Sequence, residues 1–152
     1  MSKAFVIAEV AGLRIAFAAD QIDQVIEIDR LVQVPGALSV VAGITTLRSK
    51  ILTVIDVARA VGAVDYASSS RLAITADRNG CGYAFLIDRV EAVVDTQGDV
   101  EPIQIRLHAD WQRCSIGTID TPGGRTLVGD LDLIIQSPAE AAVKPEPRVA
   151  NL

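Results

Sequence analysis

Several residues of this 152-residue chain are of types that could do chemistry. The only histidine, His108, lies close to Asp110 and Trp111, but no serine or cysteine motif stands beside it to be activated as a nucleophile. A lone histidine also cannot assemble a metal site, so His108 reads as a structural or exposed side chain. Asp120-Thr121-Pro122-Gly123 is superficially like the Asp-Thr-Gly of aspartyl proteases. There the inserted proline displaces the glycine, and a second, facing carboxylate loop is missing. Asp20 and Asp88 occupy equivalent places in an internal repeat, each after an apolar run, where a carboxylate accepts hydrogen bonds from turn N–H groups. Gly80-Cys81-Gly82 lacks the following helix that a phosphate loop requires. Cys81 and Cys114 have neither CxxC nor His-paired spacing and read as small buried thiols. The chain is therefore expected to be no enzyme, with no catalytic residue, no metal and no cofactor.

The elements that would position any site come from the repeat. Ala16-Phe17-Ala18-Ala19-Asp20 through Glu27 matches Ala84-Phe85-Leu86-Ile87-Asp88 through Asp95 at an offset of 68. Gly43-Ile44 and Asp56-Val57 match Gly117-Thr118 and Asp130-Leu131 at an offset of 74. In each copy a strand-like run, Phe5 to Val10 or Leu72 to Asp77, precedes a glycine, Gly12 or Gly80, as in a β-hairpin. Second hairpins are expected over Val41–Leu47 with Ile51–Ile55, turning at Arg48-Ser49-Lys50, and over Arg113–Asp120 with Arg125–Val128, turning at Thr121-Pro122-Gly123-Gly124. Short helices are expected at Asp56–Val61 and Asp130–Gln136, each with an aspartate to cap the first free N–H groups.

Units of four or five short strands hide their edges by curling, so the reading is an all-β protein with short helices, built as two small barrels side by side. A single domain over residues 1–137 is expected to divide into a first subdomain of about 12–65 and a second of about 66–137, with the N-terminal strand open to sharing. Residues 66–70 read as the link and residues 138–152, Pro-, Ala- and charge-rich without periodicity, as a disordered tail.

Composition agrees. Hydrophobic residues make up 50% of the chain but aromatics only 4%, which favours β-branched strands. A net charge of −5 with no Lys/Arg cluster argues against nucleic acid and against an anionic membrane surface. Ala4 to Ala8 is too short for a signal-peptide core, and Leu31 to Leu47 is broken by Pro35, Gly36 and Gly43, so a cytoplasmic protein without membrane insertion is expected.

The run Val41-Ala42-Gly43-Ile44-Thr45-Thr46-Leu47-Arg48-Ser49-Lys50-Ile51-Leu52-Thr53-Val54-Ile55-Asp56-Val57, followed by Val61-Gly62, is similar to the signature of the CheW family, with its Gly-Val/Ile, Asn-Leu-Arg-Gly and Pro-Val-Ile-Asp-Leu series. Val25-Ile26-Glu27-Ile28, Val34-Pro35 and Phe85-Leu86-Ile87-Asp88-Arg89-Val90 extend the likeness over about residues 4 to 136. The resemblance implies two SH3-like five-stranded barrels and a chemotaxis adaptor. Such a protein couples the cytoplasmic tips of methyl-accepting chemoreceptors to the regulatory domain of a CheA-type histidine kinase, in receptor arrays at the inner membrane.

Carried over by motif, Arg48 and Gly43 are partner-binding residues, as are their neighbours Leu47 and Ser49 and the edge pair Val25 and Glu27. For Arg48 the other reading is a solvated turn, and for Val25 and Glu27 a solvated strand edge. Ser49 stands where the family has glycine, Thr46 where it has asparagine and Thr53 where it has proline. These departures motivate two further readings: a divergent competitor, or an adaptor for another kinase pathway. A small-molecule sensor, with its ligand between the lobes, is the reading from outside the adaptor class.

Overall fold

The computed structural model describes residues 2–37, 39–63, 70–104 and 109–136. His108, the tail over 138–152 and most of the 66–70 link lie outside them. Ten strands and three short helices follow one another as β1 (Lys3–Val10), β2 (Leu13–Ala18), β3 (Gln24–Glu27), β4 (Val41–Leu47), β5 (Lys50–Asp56), α1 (Val57–Ala60), β6 (Leu72–Arg78), β7 (Cys81–Leu86), β8 (Arg89–Thr96), α2 (Ala109–Arg113), β9 (Ser115–Thr121), β10 (Gly124–Gly129) and α3 (Leu131–Ile135). All four expected hairpins form, and Asp56 and Asp130 cap α1 and α3 by accepting from the backbone N–H of Arg59 and Leu133. The second of those hairpins starts at Ser115 rather than at Arg113. Arg113 ends α2, a single turn held by an Arg113–Asp110 ion pair and by the buried Trp111, too short to announce itself by periodicity.

Two five-stranded sheets result, in the orders β8-β1-β2-β10-β9 and β3-β6-β7-β5-β4. The strands are not divided at residue 65 as expected. Each repeat keeps its third strand and second hairpin together but sends its first hairpin to the other sheet. The β1–β2 hairpin sits between β8 and β10, and β6–β7 sits between β3 and β5. Parallel contacts of β2 with β10 and of β5 with β7 complete the exchange. The reason is packing: Phe17 on β2 and Phe85 on β7, equivalent in the repeat, are fully buried in one core shared by both sheets, with Ile15, Val57, Ile74, Trp111, Leu131 and Ile134. Smaller cores lie inside each sheet, around Phe5, Ile7 and Ile119 in one and around Leu52, Val54 and Ala84 in the other.

Neither barrel closes through its edge strands, contrary to the expected pairing. One bridge spans each seam, Val32 to Ile44 beside β4 and Glu101 to Thr118 beside β9. Each is a reciprocal pair of backbone hydrogen bonds of 2.8 and 2.9 Å. The repeat glycines explain themselves here. A Cβ on Gly43 would lie 2.4 Å from the Val32 carbonyl oxygen, and one on Gly117 would lie 2.4 Å from that of Glu101. Bare backbone is needed where the crossing segment rests on the strand.

Candidate functional site

The seam beside β4 brings most of the predicted contact residues together. From Glu27 the chain runs back along β4, tied at Val32 and again where the Thr45 hydroxyl donates to the Arg30 carbonyl at 2.6 Å. Nearer the β4–β5 turn the two edges splay apart. A hollow of about 280 Å³ opens there, walled by Ile26 to Arg30 on one side and Thr45 to Leu47 on the other. A second hollow of about 220 Å³ continues past Leu47 to Arg48, Lys50, Gln24 and Asp77. Glu27, Leu47 and Arg48 therefore border one continuous furrow. Val25, 42% exposed, and Glu27 project from the same outward face of β3, as alternation requires.

Arg48 and Ser49 form the two-residue loop of the β4–β5 hairpin, with φ of 52° and 68°, a turn three residues long in expectation and two in fact. Both residues in the left-handed region make this the type I′ geometry that suits the strand twist. Two other turns with positive φ at both places, Ala11-Gly12 and Asn79-Gly80 of the first hairpins, carry a glycine at the second place. Serine without it costs about 1 kcal/mol. Ser49→Gly is accordingly expected to raise the melting temperature by about 2–4 °C, read by calorimetry; no rise would mean the turn is unstrained.

Arg48 is exposed and makes no hydrogen bond or ion pair among the described residues, whereas its neighbour Lys50 is paired with Asp77. Its guanidinium is free for a partner. Gly43 differs: it is buried beneath the Val32 carbonyl, where its bare backbone lets the seam close.

Two exposed apolar residues that sequence reading missed lie on the same side of the fold as β4 and its bridging segment. Ile51, 64% exposed, pairs with Thr46 beside Arg48, and Val32 is 51% exposed on the bridging segment. Both lie in strand-like sequence whose alternation does not say which face meets water. The other sheet repeats the pattern with Val93 and Ile116 on its edge strands β8 and β9.

A larger groove, about 840 Å³, lies at the other end of β4, between Val34-Pro35-Gly36, Val41, Arg59 and Arg71. Through Asp56, Ser70 and Leu86 it meets a small hollow of about 40 Å³ that reaches Val10 and Ile87, where the sheets join. There the Asp88 carboxylate accepts from the Ala11 N–H at 2.9 Å, a turn-satisfying role as expected for that residue but across the sheet junction. Asp20 sits in a short helical turn at Ala19–Gln21.

The thiols separate. Cys114 is buried in the shared core, and desolvation pushes it up to about 11. Cys81 is exposed, contrary to expectation, because it opens β7 immediately after the Asn79-Gly80 turn on the outward face. No group of three His, Cys, Asp or Glu side chains among the described residues is placed to hold a metal ion, and no helix there is long and apolar enough to cross a membrane.

Twin curled sheets with a shared core, free edges and unpaired polar or apolar groups along one furrow define the class: a β scaffold that presents surface. The family model for the CheW-like domain matches residues 4–139. The chain is 28% identical over 131 residues to the chemotaxis protein CheW of Thermotoga maritima, covering 84% of each. Its fold matches the crystal structure of the scaffolding protein TtCheW from Thermoanaerobacter tengcongensis at a TM-score of 0.80 and 20% identity, over 91% of this chain and 96% of that one. The chain belongs to the CheW-like family, the scaffold and adaptor class of chemotaxis proteins.

Proposed function

We propose that this chain couples transmembrane chemoreceptors to a CheA-type histidine kinase by binding both at once, in the cytoplasm beneath receptor arrays, with no turnover and no cofactor. The observation that carries this reading is the pair of hollows beside β4 that meet at Leu47, one bordered by Glu27 and the other by the unpaired Arg48 on its exposed turn, on a sheet that also exposes Val25 and Ile51. Apolar area for affinity with a planar, multi-donor cation for orientation is the composition of an interaction hot spot. The kinase's regulatory domain is the proposed occupant of the Arg48 turn, while Val25 and Glu27 match the strand that lies on the receptor side in the family.

The larger groove at the opposite end of β4 suits the receptor's helical tip. Its walls mix apolar Leu31, Val34, Pro35 and Val41 with polar Gln33 and Ser39 and the charged Asp56, Arg59 and Arg71, area together with groups to orient a helix. Two sites on one strand let the receptor and the kinase be held together without competing.

Arg48→Ala tests the kinase site. Alanine in the left-handed region is strained about as much as arginine, so the turn keeps its energy and only the guanidinium is lost. Binding of the kinase regulatory domain should weaken by about 2 kcal/mol, roughly 30-fold, with an unchanged melting temperature. Unchanged affinity, or a large loss of stability, would remove Arg48 from the site.

A further inference from the structure

The exchange of hairpins means that neither half of the chain owns a sheet. Within residues 2–63 the described ladders are β1–β2 and β4–β5 alone, and within residues 70–136 they are β6–β7 and β9–β10 alone. Every other ladder joins one half to the other: seven residue pairs between β1 and β8, four between β3 and β6, four between β5 and β7, and two between β2 and β10. β3 is separated from its own half's β5 by β6 and β7, and β8 from its own half's β10 by β1 and β2. Alone, each half would be two hairpins and a loose strand tied by one bridge, and isolated hairpins are marginal in water. The shared core is divided in the same way: Ile15, Phe17 and Val57 come from the first half, and Ile74, Phe85, Trp111 and Leu131 from the second.

We propose that the halves form an exchangeable pair and that the partner this build recognises is a second copy of the chain, taken up by swapping complete halves. None of these ladders or core contacts specifies which molecule supplies the complementary half. Only the covalent connection through residues 64–69 does, by holding the two halves at a high mutual concentration. When chains fold together at comparable concentration, half 2–63 of one copy pairs with half 70–136 of the other, and reciprocally. The product is a closed two-fold dimer in which every ladder is kept and only the connection changes course.

A cross-strand disulfide reads this directly in the full chain. Lys3 faces Thr96 and Ala4 faces Asp95 across the β1–β8 ladder. Neighbouring antiparallel pairs alternate between about 4.5 and 5.5 Å in Cα separation, both within disulfide reach. Lys3→Cys with Thr96→Cys, and separately Ala4→Cys with Asp95→Cys, are made in a Cys81→Ser background. Each is unfolded, refolded between micromolar and millimolar concentration, oxidised and run on a non-reducing denaturing gel. Exchange predicts a covalent dimer that is absent at the lowest concentration and is a major species at the highest. Covalent monomer at every concentration would overturn the proposal, as would a dimer in solution whose chains separate on the gel, since that is surface contact. The unmodified chain, refolded at the same concentrations, is expected to give a dimer by light scattering that does not trade subunits with labelled dimer until it is unfolded again. A strictly monomeric chain, or free trading in native buffer, contradicts it.

Discussion

Alanine in place of Phe17 is expected to lower stability by about 3–5 kcal/mol, and alanine in place of Phe85 by about the same amount. Both rings are fully buried and sit at matching repeat positions in the core that joins the two sheets. Truncation removes the transfer energy of a ring and leaves a cavity that packed neighbours fill only in part. Because both face one core, the double variant should lose less than the two single losses added. Small domains have only about 5–15 kcal/mol in total, so the double variant should still be largely unfolded. Chemical denaturation of the three variants measures this. A cost under about 1 kcal/mol at either position would mean that the sheets stand apart rather than share a core.

The second large effect is at the seams. Gly43→Ala should destabilise by about 1–3 kcal/mol, and Gly117→Ala by a similar amount. In each case the new methyl meets a backbone carbonyl oxygen at 2.4 Å. That oxygen retreats only by giving up the reciprocal hydrogen bonds of the one bridge across the seam. Gly98 has open space around it and serves as the control, with Gly98→Ala expected within about 0.5 kcal/mol of the parent. This pair of variants also separates two roles. A binding loss caused by Gly43→Ala should follow the loss of stability, whereas one caused by Arg48→Ala should not. If Gly43→Ala left the melting temperature unchanged and abolished kinase binding, Gly43 would belong to the contact surface after all.

What the sequence made legible was local. Asp56 and Asp130 cap helices by reaching three residues ahead, and a two-residue turn with glycine in second place, as in Ala11-Gly12 and Asn79-Gly80, fixes its own hairpin. The duplication also showed, because Phe17 and Phe85 or Gly43 and Gly117 keep their spacing. Hidden from view was which hairpin joins which sheet. The choice rests on short parallel ladders such as Leu127 with Ile15, contacts over more than a hundred residues that leave no periodic trace. Gly43 was found by its motif, but its part in closing the seam was hidden, since the carbonyl that forbids a side chain belongs to Val32, a residue with no pattern of its own.

The site divides along the same line. Arg48, Val25 and Glu27 were singled out through motif and alternation, and the structure sets Arg48 and Glu27 on two hollows that meet at Leu47. Ile51 and Val32 were not, because which apolar residues stay in water is decided by the folded sheet and is not written in the local pattern. Ser49 shows the limit from the other side: its departure from glycine was visible, but that Arg48 shares the left-handed turn with it was not.

Sedimenting receptor-containing membranes with a CheA-type kinase, with and without this chain, tests its role as a coupler most directly. The kinase is expected in the pellet only when the chain is present, in proportion to the chain that sediments with it. If the kinase stays in the supernatant while the chain binds neither membranes nor kinase, the chain does not couple them.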